Sequence, residues 1–373
     1  MSAGLYIHVP YCHAKCAYCD FYSTPRRESA DSYVDALIAE ARLRRGELMT
    51  PVTTLYIGGG TPSSLGGDIL VSLVSRLGEV IDLGGLEEFT VEVNPEDVDS
   101  ELVGALLGAG VNRVSMGIQS LVDDELAGVG RRHSASEALQ AAGLLASAFD
   151  NFSLDLIFGL PGQTLESLDY SLERLIETGA PHLSAYLLSY EPGTRLYARL
   201  MAGKVVEADE EMAEAMYRLV HSRLTGAGYT HYEISNYAVP GRESRHNSAY
   251  WNGTPYLGLG PSAHSFDGDT RRYNPADVKT YIESLQAGYT CCEVDEETIE
   301  NKFNDYLITR LRTSAGLSLT DLSHRPYGHL ADRLLEPVRR LQSAGLLQVD
   351  GDRITIPKSG WLASDAILRD LII

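Results

Sequence analysis

Cys12, Cys16 and Cys19 stand four and three residues apart in the run His8-Val9-Pro10-Tyr11-Cys12-His13-Ala14-Lys15-Cys16-Ala17-Tyr18-Cys19. Thiolates at this spacing on one tight loop can converge on three corners of a cube-shaped iron–sulfur cluster, which normally takes four protein ligands. The fourth iron is then open to a small molecule. A structural zinc site completed by His13 competes with this reading. Zinc, however, usually recruits Cys pairs with a second pair further along the chain, and none follows here. Three unrelated buried thiols fit poorly with a polar, tyrosine-rich loop. Cys291 and Cys292 are adjacent and distant from the triad, and are expected to be packing or incidental residues.

Other residues carry chemistry only if the fold gathers them. The glycines Gly58, Gly59 and Gly60, followed by Thr61 and Pro62, let a backbone approach a ligand without Cβ obstruction, although a glycine run is often just a turn. Glu92 and Asp155 are single carboxylates, and Arg131 is a planar, permanently charged donor. His246, between Gly241 and Gly253, is followed by Asn247, Tyr250 and Trp251. Taken alone, each is equally a solvated loop residue, a surface salt bridge or a hydrogen-bonding imidazole.

The elements that must position them alternate in a regular rhythm. Apolar, β-rich runs at Leu5–Val9, Thr54–Ile57, Phe89–Val93, Arg113–Gly117, Ser153–Phe158 and Leu183–Leu188 are separated by helical patterns near 30–45, 66–79, 98–109, 135–148 and 164–178. A further helix is expected near 208–227. Such alternation predicts βα units and a parallel sheet. The cysteine loop follows the first strand, the glycine run the second, Glu92 and Asn94 end the third, Gln119 ends the fourth and Asp155 lies in the fifth. The C-terminal ends of parallel strands share one mouth, so these residues are expected to meet.

In this order, Tyr6-Ile7-His8-Val9-Pro10, the cysteine triad, Gly58–Pro62, Val91-Glu92-Val93-Asn94-Pro95, Ser115-Met116-Gly117-Ile118-Gln119-Ser120, Gly130-Arg131-Arg132-His133 and Asp155-Leu156-Ile157-Phe158-Gly159-Leu160-Pro161-Gly162 resemble the radical S-adenosylmethionine (SAM) proteins. Within these they resemble the branch of the oxygen-independent coproporphyrinogen III dehydrogenases (HemN) and the haem chaperones (HemW). The dehydrogenases carry an additional Cys two positions after the third ligand, where this chain has Phe21, and an extension ahead of the cluster loop, whereas here eleven residues precede Cys12. The His-Asn-x-x-Tyr-Trp motif at His246–Trp251 resembles the chaperones.

The resemblance implies a partial (β/α)6 TIM-like barrel with a lateral opening, and a 4Fe-4S cluster on Cys12, Cys16 and Cys19 whose open iron takes the amino and carboxylate groups of SAM. Reduction of SAM would yield methionine and a 5′-deoxyadenosyl radical. It assigns Gly59, Gly60 and Thr61 to the methionine end of SAM, Glu92 to its amino group or ribose and Asp155 to the ribose hydroxyls. Arg131 is assigned to the carboxylate, Tyr18 to the adenine and Tyr6 to the sulfonium, with Gln119 completing the pocket. It makes His246 the haem ligand in a loop, with Asn247, Tyr250 and Trp251 beside it and His264 as a second candidate.

Past residue 290, helical patterns at 297–312 and 329–344 lead to Leu346–Val349 and Arg353–Ile356, joined through Asp350-Gly351, which favours a type I′ hairpin turn. This resembles a small helical, winged-helix-like C-terminal domain, and the expected division is residues 1–285 and 286–373. Arg333, Arg339 and Arg340 are too few for a DNA-reading face in a chain with 31 basic and 51 acidic residues and net charge −20, so no nucleic acid is expected. No signal-like segment and no apolar run of roughly 18 residues or more stands out, and the unpaired Cys count fits reduced thiols. The expectation is a cytoplasmic haem chaperone passing haem to an acceptor protein, a respiratory haem protein being one choice. Its electron donor would be a flavodoxin or ferredoxin, and any membrane contact would be peripheral and through the acceptor. The competing readings are the dehydrogenase reaction and a radical SAM enzyme acting on an unrelated substrate.

Overall fold

A computed structural model describes residues 2–25 and 30–373. Six parallel strands form its centre: β1 (Ala3–Val9), β2 (Val52–Gly59), β3 (Glu88–Val93), β4 (Arg113–Gln119), β5 (Phe152–Phe158) and β6 (His182–Leu187), paired in sequence order. Burial along them is nearly continuous, with Leu5, Ile7, Leu55, Ile57, Val114, Met116 and Leu154 fully buried. That is what a parallel sheet covered on both faces requires.

The crossovers are α1 (Ala30–Arg44), α2 (Gly67–Gly78), α3 (Ser100–Gly108), α4 (Asp123–Val129) with α5 (Ala135–Ala148), and α6 (Leu165–Glu177); α7 (Arg195–Met201) and α8 (Glu210–Gly226) follow β6. Each long crossover presents a small-residue or leucine face to the sheet, for example Leu168, Leu172 and Leu175 of α6. Side-chain caps stop the helices unravelling into the site: Asp99 accepts from the Leu102 N–H, and Ser134 with Glu137 forms a capping box.

The six-unit barrel is extended at both edges. Beyond β6 lie the antiparallel strands β7 (Thr230–Glu233) and β8 (Asn236–Ala238), with β8 next to β6. On the other side β9 (Tyr256–Leu259) runs parallel to β1, followed by antiparallel β10 (His264–Phe266), β11 (Arg271–Tyr273) and β12 (Glu293–Asp295). The outermost strands, β12 and β7, do not pair, so the barrel is open on one side. These short strands carry no long β-pattern in the sequence, and β12 continues the large sheet past residue 285.

The loop expected around His246 is instead a helix, α9 (Arg245–Asn252). Ser244 caps it by accepting from the Asn247 N–H, and Gly253 at φ 71° ends it in the left-handed conformation that glycine takes without Cβ strain. After α10 (Val278–Gln286), the C-terminal part consists of α11 (Ile299–Leu311), α12 (Leu319–Ser323), α13 (Leu335–Ser343) and α14 (Ser364–Arg369), with the three-stranded antiparallel sheet of β13 (Leu317–Ser318), β14 (Gln348–Asp350) and β15 (Arg353–Thr355). The helix expected at 329–344 is divided into a 3-10 segment, Gly328–Leu334, and α13. Pro337 explains the break, because it lacks the N–H that a continuous helix would use there and is tolerated in a first turn. The hairpin forms, but its turn is not type I′. Gly351, the first central residue, has φ 59°, while Asp352 is not among the residues with positive φ, the pattern of a type II′ turn.

One buried cluster runs from Leu5 to Leu371 and joins the C-terminal part to the barrel. At the seam Ser314 N donates to Tyr232 O at 2.9 Å, His231 meets the Trp361 ring edge-on at 4.4 Å, and Arg310 donates to the carbonyls of Trp251 and Asn252 at 2.6 and 2.5 Å.

Candidate functional site

The cysteine loop is tied down on three sides by backbone hydrogen bonds. Cys12 N donates to Thr24 O (3.2 Å) and Thr61 N to Tyr11 O (2.6 Å), while Ala17 N reaches Val129 O at the end of α4 (2.9 Å) and Leu196 N reaches Ala17 O (2.7 Å). The loop is thereby fixed to β2, α4 and α7. The glycine run makes the β2 contact possible: a Cβ on Gly60 would stand 2.6 Å from Tyr11 O and 2.8 Å from Val9 O. Gly59, at φ 105°, would collide with the His8 ring. The absent Cβ atoms thus admit the protein's own backbone and imidazole, a use the sequence reading did not assign to them.

All three cysteines line one cavity of about 460 Å³ at the strand C-terminal ends, together with Tyr18, Gly59, Gly60, Thr61, Glu92, Gln119, Arg131 and Asp155. The convergence expected from strand order is therefore present. Asn94 and Tyr186 join them. Both sit at strand ends, Asn94 after β3 and Tyr186 one residue before the end of β6, and that position was the signal available for finding Tyr186. Cys12 is buried and receives the Thr61 hydroxyl at 3.4 Å. Arg131 donates to Asn94 Oδ1 (2.8 Å) and Gly117 O (2.6 Å) and lies 3.5 Å from Cys16 Sγ. Gln119 has φ 72° at the irregularity between β4 and β5. A non-glycine residue held there costs energy, and such strain concentrates at functional sites.

The electrostatics are those of a partly desolvated mouth lined by acidic groups around one guanidinium. Burial raises Cys12 and pushes Cys19 up to about 11, so thiolates form here only when a cation compensates them. Burial also raises Asp155, and it raises Glu92 to about 7 against the opposing hydrogen bonds from Tyr56 (2.5 Å) and Gly59 N–H (3.1 Å). His13 is turned to Asp97 at 2.8 Å and does not line the cavity. Among the described residues no three His, Cys, Asp or Glu side chains are grouped for a single metal ion. The residues fit a cluster with one open iron. Three thiols on one loop would carry three of the irons, and in the same cavity a guanidinium, two half-buried carboxylates and the amides Asn94 and Gln119 are placed to meet a small zwitterionic ligand. Cys291 and Cys292 line neither this cavity nor the next.

A second cavity, of about 530 Å³, opens at the seam between β1, β9 to β11, α9 and α11. Tyr250, Trp251, Tyr256, Phe266, Tyr306 and Tyr327 form its aromatic walls, with Asn247, His8 and His264. Phe21, 64 % exposed, borders both cavities. Two expectations change here. Tyr6 lies in the wall of this aromatic cavity and not among the thiol-cavity residues, and its hydroxyl is hydrogen-bonded to His8 Nδ1 at 3.1 Å. His246 lines neither cavity. It is buried on α9, with Nδ1 at 2.8 Å from Thr54 Oγ1 and Nε2 at 2.9 Å from Tyr250 Oη. With both ring nitrogens engaged, it has no lone pair free for iron in this conformation.

A family description, the Radical SAM superfamily, matches residues 6–175, and the HemN C-terminal domain matches residues 300–363. The chain is 37% identical over 377 residues to the heme chaperone HemW of Mycobacterium tuberculosis, spanning 99% of this chain and 94% of that one. It is 35% identical to HemW of Bacillus subtilis, spanning 97% of each. The solved structure of coproporphyrinogen III oxidase (HemN) from Escherichia coli, a radical SAM enzyme, superimposes with a TM-score of 0.84 at 24% identity, over 100% of this chain and 90% of that one. The last likeness establishes the fold. No helix among the described residues is long and apolar enough to cross a membrane.

Proposed function

The chain belongs to the HemW family of radical SAM proteins, and on that premise we propose that it binds haem and hands it to an acceptor protein while carrying a SAM-ligated 4Fe-4S cluster. The observation that carries the proposal is the pair of adjoining cavities, one lined by three thiols and the other by aromatic rings, meeting at Phe21.

In the thiol cavity Cys12, Cys16 and Cys19 would hold three irons of the cluster. Bound there, a reduced cluster supplies the electron that cleaves the sulfonium of SAM. The chain's own groups do the rest. Arg131, already oriented by Asn94 and the Gly117 carbonyl, would hold the SAM carboxylate, and Asn94 lies beside it. Glu92 would take the amino group or ribose, Asp155 and Gln119 the ribose side, and Tyr18 the adenine. Gly59, Gly60 and Thr61 would shape the methionine end. The buried side chains of Ile157 and Leu188 give this mouth an apolar wall.

The acceptor, which a respiratory haem protein would suit, the flavodoxin- or ferredoxin-type donor and the cytoplasmic location belong to the same proposal. The test is anaerobic incubation of cluster-reconstituted protein with SAM and a reductant, once with haem and once with coproporphyrinogen III. Haem complex formation without protoporphyrinogen production is expected, because Phe21 stands where the dehydrogenases carry a further Cys. Decarboxylation of coproporphyrinogen would overturn the proposal in favour of the dehydrogenase reaction.

A further inference from the structure

We propose that haem sits in the aromatic cavity at the seam, with His264 as the ligand to its iron and Arg325 at its propionates. The proposal rests on the chaperone reading and adds where the cargo lies and what holds it. The cavity encloses about 530 Å³, within the range of roughly 300–1,000 Å³ usual for ligand sites. Its rings come from α9, β9, β10, α11 and the segment after α12. A flat apolar macrocycle gains both buried area and ring contacts in such surroundings. Trp251, in this wall, has a buried indole N–H without a partner among the described residues.

Of the three imidazoles near the cavity, two are committed. His8 uses Nδ1 on the Tyr6 hydroxyl and Nε2 on Tyr22 O (3.0 Å), and His246 uses both nitrogens on Thr54 and Tyr250. His264, on β10, lines the cavity, and its one ring neighbour is Tyr273 at 5.8 Å; neither ring nitrogen has a hydrogen-bond partner among the described residues. Partial burial, followed by the Arg271 charge, holds it below the usual imidazole range. It is therefore neutral near pH 7, with a lone pair free for iron.

The cations around the cavity divide in the same way. Arg271 is spent on Asp305 (2.6 Å) and Glu297 (3.5 Å), Lys302 on Asp269 (2.8 Å), and Arg310 on the carbonyls at the end of α9. Arg325 lies 5.3 Å over the Tyr306 ring with no ion pair among the described residues. Its guanidinium fork suits a carboxylate. The turn that presents His264 is itself strained: Ser262 has φ 65°, and the only other non-glycine residue with positive φ among the described residues is Gln119 in the thiol cavity. Each cavity thus holds one such residue.

The test is an anaerobic titration of ferric haem into the full chain and into His264→Ala and Arg325→Ala, both exposed positions, with far-ultraviolet circular dichroism to verify folding. Wild type is expected to saturate near one haem per chain. His264→Ala should shift the Soret band and weaken binding about tenfold or more, and added imidazole should restore the band. Arg325→Ala should weaken binding about tenfold without moving the band, and the dimethyl ester of haem should bind wild type and Arg325→Ala alike. A wild-type complex left unchanged in band and affinity by His264→Ala overturns this site and leaves the chaperone reading standing. No specific band in wild type overturns the chaperone reading itself.

Discussion

Glu92 shows how one half-buried group can tune the thiol cavity. Burial raises its carboxyl from 4.5 to about 7, so near neutrality it is divided between a neutral and an anionic form. SAM brings cationic groups, and its affinity should therefore rise as pH passes through about 7, with Glu92→Gln flattening the profile in a calorimetric titration. The stability effect has the opposite slope. The folded state holds this proton more tightly than the unfolded chain, so stability falls as pH rises from about 4.5 to about 7, and Glu92→Gln should remove that fall. His246 makes a second residue-scale prediction. His246→Ala leaves the Thr54 and Tyr250 hydroxyls without their partner and should cost about 2 kcal/mol or more in denaturant unfolding. His264→Ala, at an exposed position, should stay within about 0.5 kcal/mol. The motif around His246 was legible as a motif, but its role was not. Two hydrogen bonds made by partners 192 and 4 residues away decide whether an imidazole is structural or available, and spacing alone does not reveal them.

At the scale of elements, the thiol cavity was legible because parallel strands leave little freedom. Once six apolar runs alternate with helices, Gly59, Glu92, Gln119 and Asp155 must meet at one mouth. The packing that supports this is testable at Gly60, where a Cβ would press on the Val9 carbonyl at the end of β1 and the Tyr11 carbonyl of the cysteine loop. Gly60→Ala should displace that loop and lower the iron bound after reconstitution, measured as iron per chain, while far-ultraviolet circular dichroism stays near wild type. Full iron loading would show that the loop tolerates the shift. Helix α9 was not legible from periodicity, because Arg245–Asn252 is polar and short. Its Ser244 and Gly253 caps were the readable signal. Strands β9 to β12 are three or four residues long and owe their existence to pairing with β1 and with each other.

At the scale of the molecule, the aromatic cavity was legible only in part: Asn247, Tyr250, Trp251 and His264 stood out in the sequence, but the walls from α11, Tyr327 and Arg325 come from distant segments that close over β9, β10 and α9. The ion pairs Arg271–Asp305 and Lys302–Asp269 cross this seam in partly exposed positions, where each contributes at most about 1 kcal/mol. The buried contacts hold it more firmly. Trp361, 1 % exposed against His231, should cost about 3–5 kcal/mol when replaced by Ala. Because one core spans both parts, thermal unfolding should remain a single transition, and two separate transitions would contradict that continuity. The most direct measurement of function is transfer: haem-loaded, cluster-reconstituted protein is mixed anaerobically with a haem-free respiratory apoprotein, and both Soret bands are followed. The acceptor band is expected to grow as the donor band decays, faster than haem moves to a non-specific haem sink at equal concentration. Equal rates to acceptor and sink would mean that haem merely dissociates, and would contradict a chaperone.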